Sequence, residues 1–221
     1  MKKSVYFLAG VVVFAGLPLL GWGLGDVAGF FTSPFRRAYV ALMAVASLLV
    51  VLLVPREGRG YGEGEAPLKR QRRTIRYLQV APLALLLGAP LLDRRGLAVL
   101  GGGWPRPLGL LLAAAGFFLM NWSVAALGRH FSVDVTVQKD HRLVTSGPYR
   151  LIRHPRYLGI LVFFAGIALV FRSWAGLGIA LLTLAILLWR IRDEEALLAE
   201  RFGAEWAAYR ARTRALLPWV C

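Results

Sequence analysis

Residues 154–195 read HPRYLGILVFFAGIALVFRSWAGLGIALLTLAILLWRIRDEE. Two apolar runs, 157–171 and 174–189, are parted only by Arg172 and Ser173. Runs of that length and composition are helical, and so short a break between them predicts a tight helical hairpin. Each leg falls short of the roughly 20 residues that cross a bilayer, which leaves a partly re-entrant hairpin open beside a full double crossing. Either way the fold-back has one consequence for chemistry. Arg153, His154 and Tyr157 at the entrance are brought near Arg190, Glu194 and Glu195 at the exit.

Working outward, the chain is membrane-like throughout. Of its 221 residues 57% are hydrophobic and 18% charged, and the mean hydropathy is +0.58. A soluble domain of this size is more polar. Residues 4–24 follow Lys2 and Lys3 and resemble a signal peptide at first sight. The run is too long and lacks a small-x-small cleavage site, so it reads as a first spanning helix kinked at Pro18. Further runs lie at 38–54, 77–92 (with Pro82 and Pro90) and 107–127. The polar tail, 190–221, reads as one amphipathic helix. The predicted fold is an all-α polytopic membrane protein with about five to six transmembrane helices, the last two a helical hairpin, and a cytoplasmic C-terminal helix.

The net charge is +15, which by itself would suggest nucleic acid. Its distribution argues otherwise. With the N-terminus in the cytoplasm, 21 of the 27 Lys and Arg fall on the inner side, and only Arg36, Arg37, Arg94, Arg95, Arg106 and Arg172 fall outside. The positive-inside rule accounts for that bias without a nucleic-acid partner. Cys221 is the only cysteine and the last residue, so no internal disulfide, cysteine metal site or prenylation box follows. His130, His141 and His154 match no metal-ligand spacing, and no metal is expected. The LGGGW stretch at 100–104 lacks the G-x-G-x-x-G spacing of a dinucleotide fingerprint and reads as a flexible external loop. No feature of the sequence sets the oligomeric state.

Two constellations carry possible chemistry. Gly147-Pro148 marks a turn, and Pro155 suits the first turn of a helix. Arg153 and His154 therefore stand at a helix N-terminus that favours an anionic group, with Tyr149 and Tyr157 beside them. The plain alternative is an arginine topology anchor within an aromatic belt. At the exit, Arg190 and Glu194 share one helical face. Here the plain alternative is a solvated or interfacial helix using Phe202, Trp206 and Tyr209 as its apolar side. Against it, acids are scarce in this chain, and Asp193, Glu194 and Glu195 stand together at the end of a spanning helix, where ionisable residues are functional candidates.

The segments LGRHFS (127–132), HRLVTSGPYRLIRHPRYLG (141–159) and RIRDEEALLAERFGAEWAAYRARTRALLP (190–218) resemble the isoprenylcysteine carboxyl methyltransferase and phospholipid methyltransferase superfamily. The shared pattern is H-x-L-V-x-x-G-x-Y-x-x-x-R-H-P-x-Y-x-G, then R-x-x-x-E-E and F-G-x-x-[YW]-x-x-Y. It divides the chain into variable transmembrane helices over 1–127 and a cofactor-binding catalytic region over 128–221. The resemblance implies S-adenosylmethionine as methyl donor and a lipophilic acceptor entering from the bilayer among membrane lipids. It implies a cofactor site made by His141, Arg142, Leu143, Val144, Gly147, Tyr149, Arg153, His154, Pro155, Tyr157, Glu194 and Glu195. Arg190 matches the arginine that faces the acceptor, and Arg190 and Glu194 are the candidate catalytic pair. A further family contact before His141 falls on Thr136 or Gln138. The acceptor stays open among an isoprenylcysteine, a phospholipid amine, a thiol and an isoprenoid acid.

The Ala/Leu/Arg-rich composition points to a prokaryotic inner or plasma membrane, with the site facing the cytoplasm. Two other classes remain. One is an NADPH-dependent membrane reductase of sterol-reductase-like architecture, its basic loops taking the 2′-phosphate. The other is a non-enzymatic transporter or assembly factor, which would need more polar residues in its spans than Asn121, Ser123 and Thr183.

Overall fold

A computed structural model describes residues 3–53, 69–128 and 143–217. All the regular elements there are helical: α1 (Lys3–Val11), α2 (Leu17–Trp22), α3 (Val27–Thr32), α4 (Pro34–Leu53), α5 (Lys69–Arg95), α6 (Pro105–Leu127), α7 (Pro155–Val170) and α8 (Trp174–Arg212). Five stretches are long and apolar enough to cross a membrane, at Val5–Trp22, in α4, α5 and α6, and in α8; α7, at 16 residues, is shorter. The protein is an all-α polytopic membrane protein, as its sequence predicts.

Local chemistry explains the element boundaries. Pro18 lacks an N–H to give its helix, and the chain adapts with a π-helical turn, Val12–Gly16, that joins α1 to α2 as one rod. Asp26 caps α3 by accepting from the Gly29 N–H at 3.0 Å. Ser173 caps α8 in the same way, accepting from Gly176 N–H at 3.0 Å. The preceding Arg172, at φ 49, makes the sharp reversal of the predicted α7–α8 hairpin.

Three differences from the sequence reading stand out. The third span is not confined to 77–92, because charged turns extend α5 at both ends. The tail is not a separate helix: α8 runs unbroken by solvent loops from Trp174 to Arg212, with one non-helical residue at Gly203 (φ 47). The stretch after α5 is pinned to the hairpin turn, with Leu100 N–H donating to Arg172 O at 2.7 Å and Trp174 N–H to Ala98 O at 3.0 Å.

The core is dry and aromatic. Tyr39, Met43, Leu85, Ile167 and Phe171 are buried together, and Phe14, Phe117 and Phe163 meet edge to face at 5.6–5.7 Å. The tightest joint is α6 on α7. A Cβ on Gly116 would lie 2.3 Å from Phe163 N, and one on Gly166 would lie 2.3 Å from Ala113 N. Glycine there lets two backbones touch, the usual device where lipid offers no hydrophobic drive to helix pairing. This joint fixes where α7 begins, and so where the site residues stand.

Candidate functional site

Length alone takes α8 beyond the apolar layer. Its 39 residues measure roughly 58 Å at 1.5 Å each, against a hydrocarbon core of about 30 Å. The apolar stretch ends near Trp189, and the remaining turns project past the membrane beside the start of α7. There the chain doubles back. Beyond α8, residues 213–215 lie alongside 152–154: Arg153 N–H donates to Arg214 O at 2.7 Å and His154 N–H to Ala215 O at 3.0 Å. Leu216 then packs with Tyr157, Leu187 and Ile191.

At the centre is Tyr157. Its hydroxyl donates to Glu194 Oε2 at 2.7 Å and accepts from Arg190 Nε at 2.9 Å. One phenol thus couples a carboxylate and a guanidinium that sit one turn apart on α8. Arg190 is buried, while about a third of the Glu194 side chain is exposed. The His154 ring stacks on the Tyr157 ring at 5.5 Å and an interplanar angle of 4°. His154 Nδ1 is 4.0 Å from Glu194 Oε2, and Nε2 is 3.3 Å from Glu195 Oε1. His154 reaches both carboxylates.

Arg153 faces the other way from this centre. Its Nε donates to Glu195 Oε1 at 2.7 Å, and Nη1 donates to the carbonyls of Thr213 and Arg210 at the end of α8. Its guanidinium also covers the Trp206 ring at 6.0 Å. A cation on terminal carbonyls is favourable for the helix. Burial pushes the Glu195 carboxyl up, but hydrogen bonds from His154 and Arg153 outweigh it and hold it down at about 2. Tyr149 lies in a 3₁₀ turn, Gly147–Arg150, that Gly147 enters at φ 59. Its carbonyl accepts from Tyr209 Oη at 2.7 Å. Burial raises the Tyr149 phenol, with Glu194 adding to the effect, and burial pushes Tyr209 up to about 12. Both stay neutral hydroxyls at physiological pH.

The hairpin therefore brings together Arg153, His154, Pro155 and Tyr157 with Arg190, Glu194 and Glu195, with Gly147 and Tyr149 beside them. Leu143 and Val144 are half-buried in irregular backbone leading to that turn. His141 and Arg142, with His130, Thr136, Gln138 and Cys221, lie outside the described residues. Four residues belong here that sequence reasoning gave no place in the site. Arg156 lies within electrostatic reach of Tyr149, Tyr157, Arg190 and Glu194. Trp206, Tyr209 and Thr213 turn inward onto residues 149–153. The last motif quoted above contains Trp206 and Tyr209; what it could not show is the break at Gly203, which redirects the helix.

A nearly all-apolar groove of about 340 Å³ opens between α4 and α6, lined by Met43, Ala46, Val50, Phe117, Asn121 and Trp122 among others. Trp122 links it to the site. A Cβ on Gly147 would lie 3.7 Å from Trp122 Nε1 and 3.3 Å from Ala126 Cβ.

Known proteins resemble this chain in sequence and in fold. Residues 104–205 match the phospholipid methyltransferase family. Protein-S-isoprenylcysteine O-methyltransferase B of Arabidopsis thaliana is 28% identical over 124 residues, covering 53% of this chain and 61% of that protein. Cobalt-zinc-cadmium resistance protein CzcN of Cupriavidus metallidurans is 36% identical over 119 residues, covering 53% and 52%. The matches thus span about three fifths or less of these relatives' length. A solved structure of the eukaryotic intramembrane Ras methyltransferase ICMT (isoprenylcysteine carboxyl methyltransferase) gives a TM-score of 0.57 at 18% identity, over 92% of this chain and 74% of that one. At that identity the likeness is one of fold. Motif, fold and sequence similarity all point to the isoprenylcysteine carboxyl methyltransferase and phospholipid methyltransferase superfamily, with the family match covering just under half of the chain.

Proposed function

We propose that this chain is an integral membrane methyltransferase that uses S-adenosylmethionine to methylate a lipophilic acceptor, in the manner of the isoprenylcysteine enzymes it resembles. The observation that carries the proposal is the Tyr157 bridge between Glu194 and Arg190. It sets an acid for a cationic donor and a phenol-anchored cation for an anionic acceptor on adjacent turns of one helix.

The side chains suit the cofactor. Glu194 is partly open and accepts from Tyr157 Oη through Oε2, and a carboxylate has further acceptor capacity for an amino group or ribose hydroxyls. The stacked faces of His154 and Tyr157 suit a sulfonium. Arg153 is spent on Glu195 and the α8 carbonyls, so its part is to position Glu195 rather than to hold a carboxylate. The bound cofactor supplies an electrophilic methyl group. The protein's work is alignment and exclusion of water, and alignment alone is worth roughly 7–11 kcal/mol of barrier. Arg190, buried and oriented through Tyr157, would hold an acceptor carboxylate and offset its charge. Such an acceptor is already an anion, so no general base is required.

The groove between α4 and α6 suits the acceptor's hydrocarbon part, because it is apolar, opens sideways and ends at Trp122 beside Gly147. The charge bias of the loops supports a site facing the cytoplasm, and the Ala/Leu/Arg-rich composition supports a prokaryotic cell. Nothing in the geometry or in these relatives favours the reductase. The test is transfer of labelled methyl from S-adenosylmethionine into membrane extracts by the purified protein, with identification of the labelled species. Calorimetry in detergent should show S-adenosylmethionine binding that Glu194→Gln removes. Binding of NADPH in its place would end the proposal.

A further inference from the structure

At the end of the bundle opposite the site, four loops and helix ends meet on one carboxylate. Asp93, near the C-terminus of α5, has no exposed side-chain surface. Arg172, from the hairpin turn, donates to Asp93 Oδ1 through Nε at 2.9 Å and Nη2 at 2.7 Å. Arg106, in the first turn of α6, donates through Nη2 to both oxygens at 3.1 and 2.9 Å. Arg36, from α4, adds Nη1 at 3.2 Å and spends its other nitrogens on the Phe30 and Gly29 carbonyls.

Three guanidiniums against one carboxylate leave a local surplus of positive charge, set at the N-terminus of a 23-residue helix that itself favours anions. Arg36 is saturated and buried, but Arg106 and Arg172 are 21% and 25% exposed. Asp93 engages Arg106 through Nη2, so the rest of its exposed guanidinium edge faces outward with donor capacity to spare. Trp104 and Trp174, each more than half exposed, precede and follow these arginines in sequence, as aromatic side chains do at the level of lipid headgroups.

We propose that the outward edges of Arg106 and Arg172 form a binding site for a phosphate oxyanion, supplied by the headgroup of an anionic phospholipid. Planar guanidiniums match phosphate oxygens in bidentate fashion, and basic pockets between membrane helices hold lipid headgroups. Asp93 holds the two arginines together, and the ligand neutralises what Asp93 leaves over. The site is separate from the methyl-transfer centre and does not depend on that assignment.

The test uses the full-length protein in detergent. Native mass spectrometry measures retention of phosphatidylglycerol against phosphatidylcholine, and thermal melts compare sodium phosphate with sodium chloride at equal ionic strength. Phosphatidylglycerol should be retained about tenfold better, as befits charge-assisted hydrogen bonds. Arg172→Gln should abolish most of that preference, while Arg192→Gln, a cation at the other end, should leave it. If Arg172→Gln does not fold, Arg106→Lys keeps the charge, removes the planar guanidinium fork and should weaken retention in the same direction. Stabilisation by inorganic phosphate that both variants lose would support the oxyanion site with a soluble source. Equal retention of the two lipids by the wild type, or a preference unchanged in these variants, would overturn it.

Discussion

Tyr157 Oη lies 2.7 Å from Glu194 Oε2, and the two residues come from opposite legs of the hairpin. The same hydroxyl receives Arg190 Nε at 2.9 Å, so the phenol separates a cation from an acid that would otherwise pair directly. Glu194 stands on one side of it and Arg190 on the other.

Tyr157→Phe keeps the ring that stacks on His154 and removes only the bridge. Hydrogen bonds to charged groups are worth about 1.5–3 kcal/mol each. Methyl transfer should fall by about 10- to 100-fold, with S-adenosylmethionine affinity reduced by a smaller factor and the melting temperature lowered by a few degrees. Wild-type turnover in the phenylalanine variant would mean that the bridge plays no part in alignment.

The Arg153–Glu195 pair makes a prediction about acid. A carboxyl held below its unfolded value contributes stability that is complete above the unfolded value and is lost as pH falls through the folded one. For Glu195 that window runs from the ordinary 4.5 down to about 2. Glu195→Gln should therefore melt lower than wild type at pH 7, and the gap should narrow steadily as melts are taken toward pH 3. A gap that stays constant with pH would assign Glu195 a purely steric role.

Much of this was legible in the sequence, for definite physical reasons. The hairpin followed from two apolar runs with a two-residue break, and the meeting of Arg153, His154 and Tyr157 with Arg190, Glu194 and Glu195 followed from the hairpin. The inner surface of the last helix did not. Trp206 and Tyr209 look like the apolar face of an interfacial helix until the positive φ of Gly203 and the return of 213–215 alongside 152–154 are known. Those are long-range events with no periodic signature. Arg153 shows the converse: its position at a helix N-terminus suggested an anion site, and the carbonyls that occupy it belong to residues nearly sixty positions away. The arginines counted against the charge bias, Arg36, Arg106 and Arg172, are held by a single buried Asp93 that no local pattern singles out.

The apolar groove should govern the acceptor and not the cofactor. Ala46, on α4, lines it away from Tyr157 and Glu194, so Ala46→Trp fills the groove without touching the polar centre. Hydrophobic pockets discriminate by about 10- to 200-fold for changes of this kind. KM for the lipophilic acceptor should rise by at least about tenfold, while calorimetric affinity for S-adenosylmethionine holds. Loss of cofactor binding in this variant, or an unchanged KM, would place the acceptor elsewhere.

The α6–α7 joint separates two glycines that look alike in sequence. A Cβ at Gly116 would meet Phe163 N at 2.3 Å, Gly159 O at 2.7 Å and Phe163 Cα at 2.7 Å, all backbone atoms that have no side-chain freedom to yield. A Cβ at Gly178, on the exposed side of α8, would meet nothing within 4 Å. Overpacking at Gly116 forces the two helices apart, at about 1–3 kcal/mol, whereas alanine is the better helix former at Gly178 by up to about 1 kcal/mol. Gly116→Ala should therefore lower the melting temperature and, because α7 carries His154 and Tyr157 at its start, lower methyl transfer with it. Gly178→Ala should melt at or above wild type with activity intact. Equal melting of the two variants would show that α6 and α7 do not pack this closely in the membrane.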